Sequence, residues 1–80
     1  MVNNMTFVSS ATCILNNNLK PLFIDCEPKN LSFDLEDAKQ KITRNVVAIV
    51  LVHYGGHPAN LKEILRFAKK NNLKVIEDCA

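Results

Sequence analysis

Paired cysteines, long apolar runs and dense basic patches are all missing from this 80-residue sequence. Cys13, Cys26 and Cys79 are odd in number and show no C-x-x-C spacing, which argues against a disulfide framework or a zinc site. Reduced core thiols in a cytosolic protein are the expectation. The longest apolar run, Val46 to Val52, is far too short to span a membrane. Met1 to Asn4 lacks the basic start and long apolar stretch of a secretory signal. Ten basic and eight acidic residues leave a formal charge of +2. Lys69-Lys70 is the one basic doublet between Arg66 and Lys74, too sparse for a nucleic-acid site. Phosphate-loop glycine patterns, G-x-G-x-x-G or G-x-x-x-x-G-K-S/T, are absent as well. There is no internal repeat, and the only biased stretch is the Asn16-Asn17-Asn18 turn.

What is present reads as alternating strands and helices. Leu22-Phe23-Ile24, Val46 to Val52 and Val75-Ile76 are short apolar runs. The middle one is β-branched and continuous, as in a parallel strand covered on both faces. Asp34 reads as a helix N-cap, with Asp37 at N3 adding charge that suits the helix dipole. Leu35, Ala38 and Ile42 then share one face. Asn60 with Glu63 resembles a capping box, and Leu61, Ile64, Leu65 and Ala68 follow at helical spacing. Asn71-Asn72 suits a helix end, because Asn tolerates the left-handed turn. A shorter helix is expected over Ala11 to Asn16, capped by Ser9 or Ser10. This order predicts an α/β fold with a parallel sheet and right-handed crossovers. Ligands of such sheets gather outside the carboxyl ends of the strands. Those ends carry Asp25-Cys26, His53-Tyr54-Gly55-Gly56 and Glu77-Asp78. The chain stops two residues after Asp78, where a binding loop should begin, so an internal fragment is expected.

Four features bear chemistry. Asp78 can bind a metal, a ribose hydroxyl or a protonated ring nitrogen, or it can cap a helix following Ala80. Gly55-Gly56 permits either close approach to a ligand or a plain tight turn. His53 and His57 are four apart, but the glycines and Pro58 make that stretch a loop, and H-E-x-x-H is not formed. No metal site is expected, though His53 at a strand end could touch a cofactor. Phe7 is most simply a core aromatic; its alternative role is to stack on a planar ring.

Together these stretches resemble the DegT/StrS family of pyridoxal-phosphate-dependent sugar aminotransferases. Thr6-Phe7-Val8-Ser9-Ser10 resembles its Thr-(Phe/Trp)-(Val/Ile)-(Ala/Ser)-(Thr/Ser) entry to a helix. Lys20-Pro21-Leu22-Phe23-Ile24-Asp25 resembles its A-K-P-V-F-V-D strand. Val52 to Ala59 resembles its V-H-(L/Y)-x-G-x-P-(A/C) loop, and Leu73 to Ala80 its L-x-(V/L)-I-E-D-(A/C)-A segment. The resemblance implies that residues 1–80 are three main strands, with alternating helices, from the large domain of a fold-type-I aminotransferase. It implies that Asp78 faces the pyridine nitrogen of pyridoxal 5'-phosphate and that Phe7 stacks on the ring. It implies a cytoplasmic homodimer that takes an amino group from glutamate or glutamine and passes it to a keto sugar nucleotide. Neither nucleic acid nor membrane is implied as a partner.

The departures set what this chain is expected to lack. The family's phosphate-binding helix start and its Schiff-base lysine match nothing between Met1 and Ala80. None of the lysines from Lys20 to Lys74 sits in that motif, so no catalytic nucleophile is assigned. The chain alone is expected to be inactive and not to retain the cofactor. The alternatives are a truncated, non-catalytic remnant and a free-standing flavodoxin-like or receiver-type module. In the resembled fold, the strand between Leu22–Asp25 and Val46–Val52 is the one running into Thr6-Phe7. Only its last residues, Val2 to Met5, are available, so that place should hold a stub or a gap.

Overall fold

The computed structural model describes residues 1–58 and 60–80. The chain order is β1 (Val2–Asn3), α1 (Ser9–Asn16), β2 (Phe23–Ile24), α2 (Leu35–Lys41), β3 (Ala48–Val52), a 3-10 turn (Tyr54–Gly56), α3 (Leu61–Lys70) and β4 (Lys74–Asp78). The strands form one parallel sheet in the order β2-β1-β3-β4. The stub is therefore real: Val2 pairs with Phe23 on one side and Val50 on the other, and no gap is left.

Register assigns every side chain to a face, because strand residues alternate and paired residues point the same way. Ile49 opposite Val75 and Leu51 opposite Glu77 share one face with Ile24. Here Ile24, Ile49 and Leu51 are fully buried against Ala38 of α2 and Ile64, Phe67 and Ala68 of α3. The other face carries Val2, Val50, Ile76 and Phe23. Val50 and Ile76 line an apolar hollow there together with Cys13 and Ile14 of α1. Ile49, Val50 and Leu51 are all buried, as expected of a strand covered on both sides. The cover is uneven, however: Ile76 is 56% exposed and Phe23 46%.

Local chemistry explains most element ends. The Asp34 carboxylate accepts from the Glu36 and Asp37 amides at 2.9 and 3.2 Å, which is the expected cap. Asp37 does more than suit the dipole: it accepts from Lys41 and, with a smaller effect, from the Asp25 amide, both of which hold its carboxyl below the usual range. Asn72 ends α3 at φ 55° and Asn18 follows α1 at φ 58°, both in the left-handed region. Gly55 and Gly56 turn at φ 61° and 76°. A side chain at Gly56 would meet nothing within 4 Å, so the backbone angle, not space, requires glycine there.

Several expectations need correction. Helix α1 begins at Ser9, so Ser9 and Ser10 lie inside it, and its N-cap Val8 offers no side-chain bond. Asn60 does precede α3, but its side chain makes no capping bond, so no capping box forms. Phe67 occupies the inner stripe of α3 and Leu65 is 46% exposed; on the helical wheel Phe67 flanks Ile64, while Leu65 falls at the edge beyond Leu61. The cysteines are free but are not core thiols: Cys13 and Cys79 are exposed and Cys26 is half-buried. Among the described residues no helix is long and apolar enough to cross a membrane.

The bare face has a cost. Ordering each residue opposes folding by about 1–2 kcal/mol of backbone entropy, and exposed Ile76 and Phe23 return little of it. Edge strand β4 also has no strand pairing its outer side, whereas at β2 the Phe23 carbonyl accepts from Lys41. The isolated chain is expected to melt broadly below about 45 °C, the lower end for mesophilic domains, when followed by circular dichroism. A sharp, reversible transition above roughly 65 °C would show that these residues are a self-sufficient domain.

Candidate functional site

Sheet order places the site. From β1 the chain crosses one way to β2, then back past β1 to β3 and on to β4. With right-handed crossovers, α1 covers one face while α2 and α3 cover the other. A crevice opens at such a reversal, outside the carboxyl ends of β1 and β3. The loop from Asn4 to Val8, the His53 turn and the end of β4 meet at that end.

Asp78 closes β4 in register with Val52, on the α1 face of the sheet. Ser10, in the first turn of α1, donates its hydroxyl to Asp78 Oδ2 at 2.7 Å. Thr6 Oγ1 donates in turn to Ser10 Oγ at 2.9 Å. The Ala80 amide donates to Asp78 Oδ1 at 3.2 Å. The Ser10 bond, then the Ala80 bond, hold the Asp78 carboxyl below the usual range against a smaller opposing effect of burial, and His53 adds attraction. An ionised Asp78 thus stabilises the fold; that contribution is complete above the ordinary carboxylate pKa and is lost as pH falls through the depressed value. Asp78 accepts one bond on each carboxylate oxygen, from Ser10 and from the Ala80 amide.

One position after Thr6, Phe7 is 78% exposed, which corrects its reading as a core aromatic. It precedes the helix on a loop at the open end of the sheet, where the described residues leave most of it uncovered. Its carbonyl accepts the Ser10 amide at 3.1 Å, tying the ring's backbone to the residue that holds Asp78. An ionised carboxylate at the end of β4 and an open aromatic face after β1, both at the carboxyl end of the sheet, suit a flat, cationic heterocycle: the first pairs with a protonated ring nitrogen, the second offers a stacking surface.

His53 follows β3 and bonds Glu77 at 2.8 Å, on the sheet face opposite to that of Asp78. Cys79 lies near, the three ligand atoms falling within 4.8 Å of one another. The His53–Glu77 spacing is that of a hydrogen bond, shorter than the roughly 3.3 Å that two ligands of a tetrahedral zinc keep. His57 is exposed in the turn and does not join them. Ala59, the last position of the loop motif, lies outside the described residues.

Sequence reasoning gave Ser10 only a capping role and gave Thr6 none. Their spacing of four, which stacks two hydroxyls at a helix start, was the available signal. Asn3 was also passed over. It is fully buried at the end of β1, its Oδ1 accepts from the Val52 amide at 3.5 Å, and its Nδ2 has no partner among the described residues.

Comparison with known proteins gives this geometry a setting. The chain is 38% identical over its whole length to GDP-perosamine synthase of Escherichia coli O157:H7, of which it covers 22%. It is 35% identical, over 96% of its length, to dTDP-4-dehydro-2,3,6-trideoxy-D-glucose 4-aminotransferase of Saccharopolyspora spinosa, of which it covers 20%. Among solved structures, an aminotransferase from Psychrobacter cryohalolentis superposes with a TM-score of 0.95 at 33% identity, across 99% of this chain and 20% of that one. The chain thus spans about a fifth of the length of the relatives it matches. A β2-β1-β3-β4 order is shared with flavodoxin-like sheets, so topology alone does not choose between the two. The family profile does choose, because it matches residues 1–80 throughout. This chain belongs to the DegT/DnrJ/EryC1/StrS aminotransferase family.

Proposed function

We propose that these 80 residues are the part of a pyridoxal-5'-phosphate-dependent aminotransferase that holds the pyridine ring of the cofactor. Asp78 faces the ring nitrogen and Phe7 stacks on the ring. The enzyme takes an amino group from glutamate or glutamine and passes it to a keto sugar nucleotide, working as a cytoplasmic homodimer. The observation that carries this reading is Asp78 itself, bound by Ser10 at 2.7 Å and kept ionised at the carboxyl end of the sheet, in a family of sugar aminotransferases.

The residues present fit one edge of the cofactor. When bound, pyridoxal phosphate supplies an electron sink for cleavage of the substrate's Cα–H bond. Asp78 contributes by keeping a proton on the ring nitrogen, which a depressed carboxyl pKa allows throughout the neutral range. Phe7 contributes a flat apolar contact that excludes water from one ring face. A phosphate cradle and a nucleophilic lysine are not matched by this segment.

The test is amino transfer by a protein of the relatives' full length that contains this segment. Incubated with pyridoxal phosphate, 15N-labelled glutamate or glutamine, and GDP- or dTDP-linked keto sugars, it should yield a 15N-labelled amino sugar nucleotide. Cofactor binding without transfer to any keto sugar would overturn the substrate class. An absence of cofactor binding would favour the reading of a remnant without activity.

A further inference from the structure

We propose that Ser10 is a positioning residue for Asp78, its hydroxyl oriented by Thr6 so that one oxygen of the Asp78 carboxylate is fixed in place. This rests on the cofactor-facing role proposed for Asp78 and names what holds that group ready.

The donor directions follow from the chemistry. An ionised carboxylate only accepts, so the Ser10 hydroxyl donates to Asp78 Oδ2 at 2.7 Å. Its proton committed, Ser10 Oγ is left to accept, and Thr6 Oγ1 supplies the donor at 2.9 Å. Both hydroxyls thus have one orientation. Ser10 is 4% exposed, which keeps water from competing for its proton.

Neighbouring side chains in α1 show that this use of Ser10 is not the default. Thr12 and Cys13 turn back onto the carbonyls of Ser9 and Ser10, the usual habit of such groups inside a helix. Ser10 instead reaches a residue 68 positions away in sequence. Its place in the first turn adds the positive end of the helix dipole to the attraction. The other groups bearing on Asp78 are few. His53, just after β3, lowers its pKa by charge, the Ala80 amide bonds its second oxygen, and α1 contributes the Ser10 hydroxyl. Glu77 is turned to the opposite face, where it pairs with His53.

The experiment is a carboxyl titration of Asp78 by 13C NMR in the cofactor-free 80-residue chain, at about 15 °C, near the usual temperature of maximum stability. The unsubstituted chain should show Asp78 titrating below an ordinary aspartate. Ser10→Ala should raise the midpoint toward the ordinary value. Ser10→Thr, which keeps the hydroxyl, should restore the depressed midpoint. Thr6→Val should produce a smaller rise than Ser10→Ala, because it removes only the orienting bond. An unsubstituted chain that titrates at the ordinary value overturns the proposal. So does a Ser10→Ala midpoint equal to that of the unsubstituted chain, or a Ser10→Thr midpoint equal to that of Ser10→Ala. Since no cofactor is present, these outcomes stand apart from the role of Asp78 toward the ring, which fails separately if Asp78→Asn leaves turnover of the full-length enzyme unchanged.

Discussion

Asp78→Asn, placed in an enzyme of the relatives' full length, is expected to lower turnover by roughly 10- to 150-fold while the protein stays folded. That range is the loss of a charge-assisted hydrogen bond, about 1.5–3 kcal/mol, read as a rate. An amide cannot keep the pyridine nitrogen protonated as a carboxylate does. The substitution separates the two roles that meet at this residue. Asparagine caps a helix about as well as aspartate, so the bond to the Ala80 amide survives. The oxygen that accepts from Ser10 becomes an NH2 group, which only donates, so the Ser10 bond is lost or must reverse. Turnover measured beside circular dichroism therefore reads the charge together with its Ser10 contact, in a chain whose fold and Ala80 bond are kept. A variant with near-normal turnover would reduce Asp78 to a cap.

How far the sequence foretold this arrangement depended on the range of each interaction. Asp34, Asn72 and the alternation of runs were legible because caps, left-handed turns and periodicity act within a few residues. The order β2-β1-β3-β4 followed from the resemblance, not from the residues, since Val2-Asn3 is too short to announce a strand. Ser10 was misplaced as a cap because its partner, Asp78, lies 68 residues away, and no local pattern reports such a bond. Phe7 was read as core because an aromatic beside apolar Val8 resembles one; at the open end of the sheet the described residues leave most of it uncovered. Leu65 was placed on the inner stripe and Phe67 was not named, because both fit a helical stripe and only the position of the sheet beneath α3 decides which one turns inward.

The central claim is that this segment supplies the carboxylate and the stacking ring of the cofactor site but not the lysine that would bind it covalently. The structure gives physical reason to expect that. Every lysine, from Lys20 to Lys74, is exposed. A lysine becomes a good nucleophile when desolvation or a neighbouring cation lowers its pKa, whereas Lys39 is raised by Glu36. Lys74 opens β4 at the end opposite Asp78, about 13 Å away along the strand. The most direct measurement mixes the purified chain with pyridoxal phosphate, reduces the mixture with borohydride and maps the labelled lysines by mass spectrometry. The account predicts sparse labelling spread over several surface lysines. One lysine labelled stoichiometrically would contradict it.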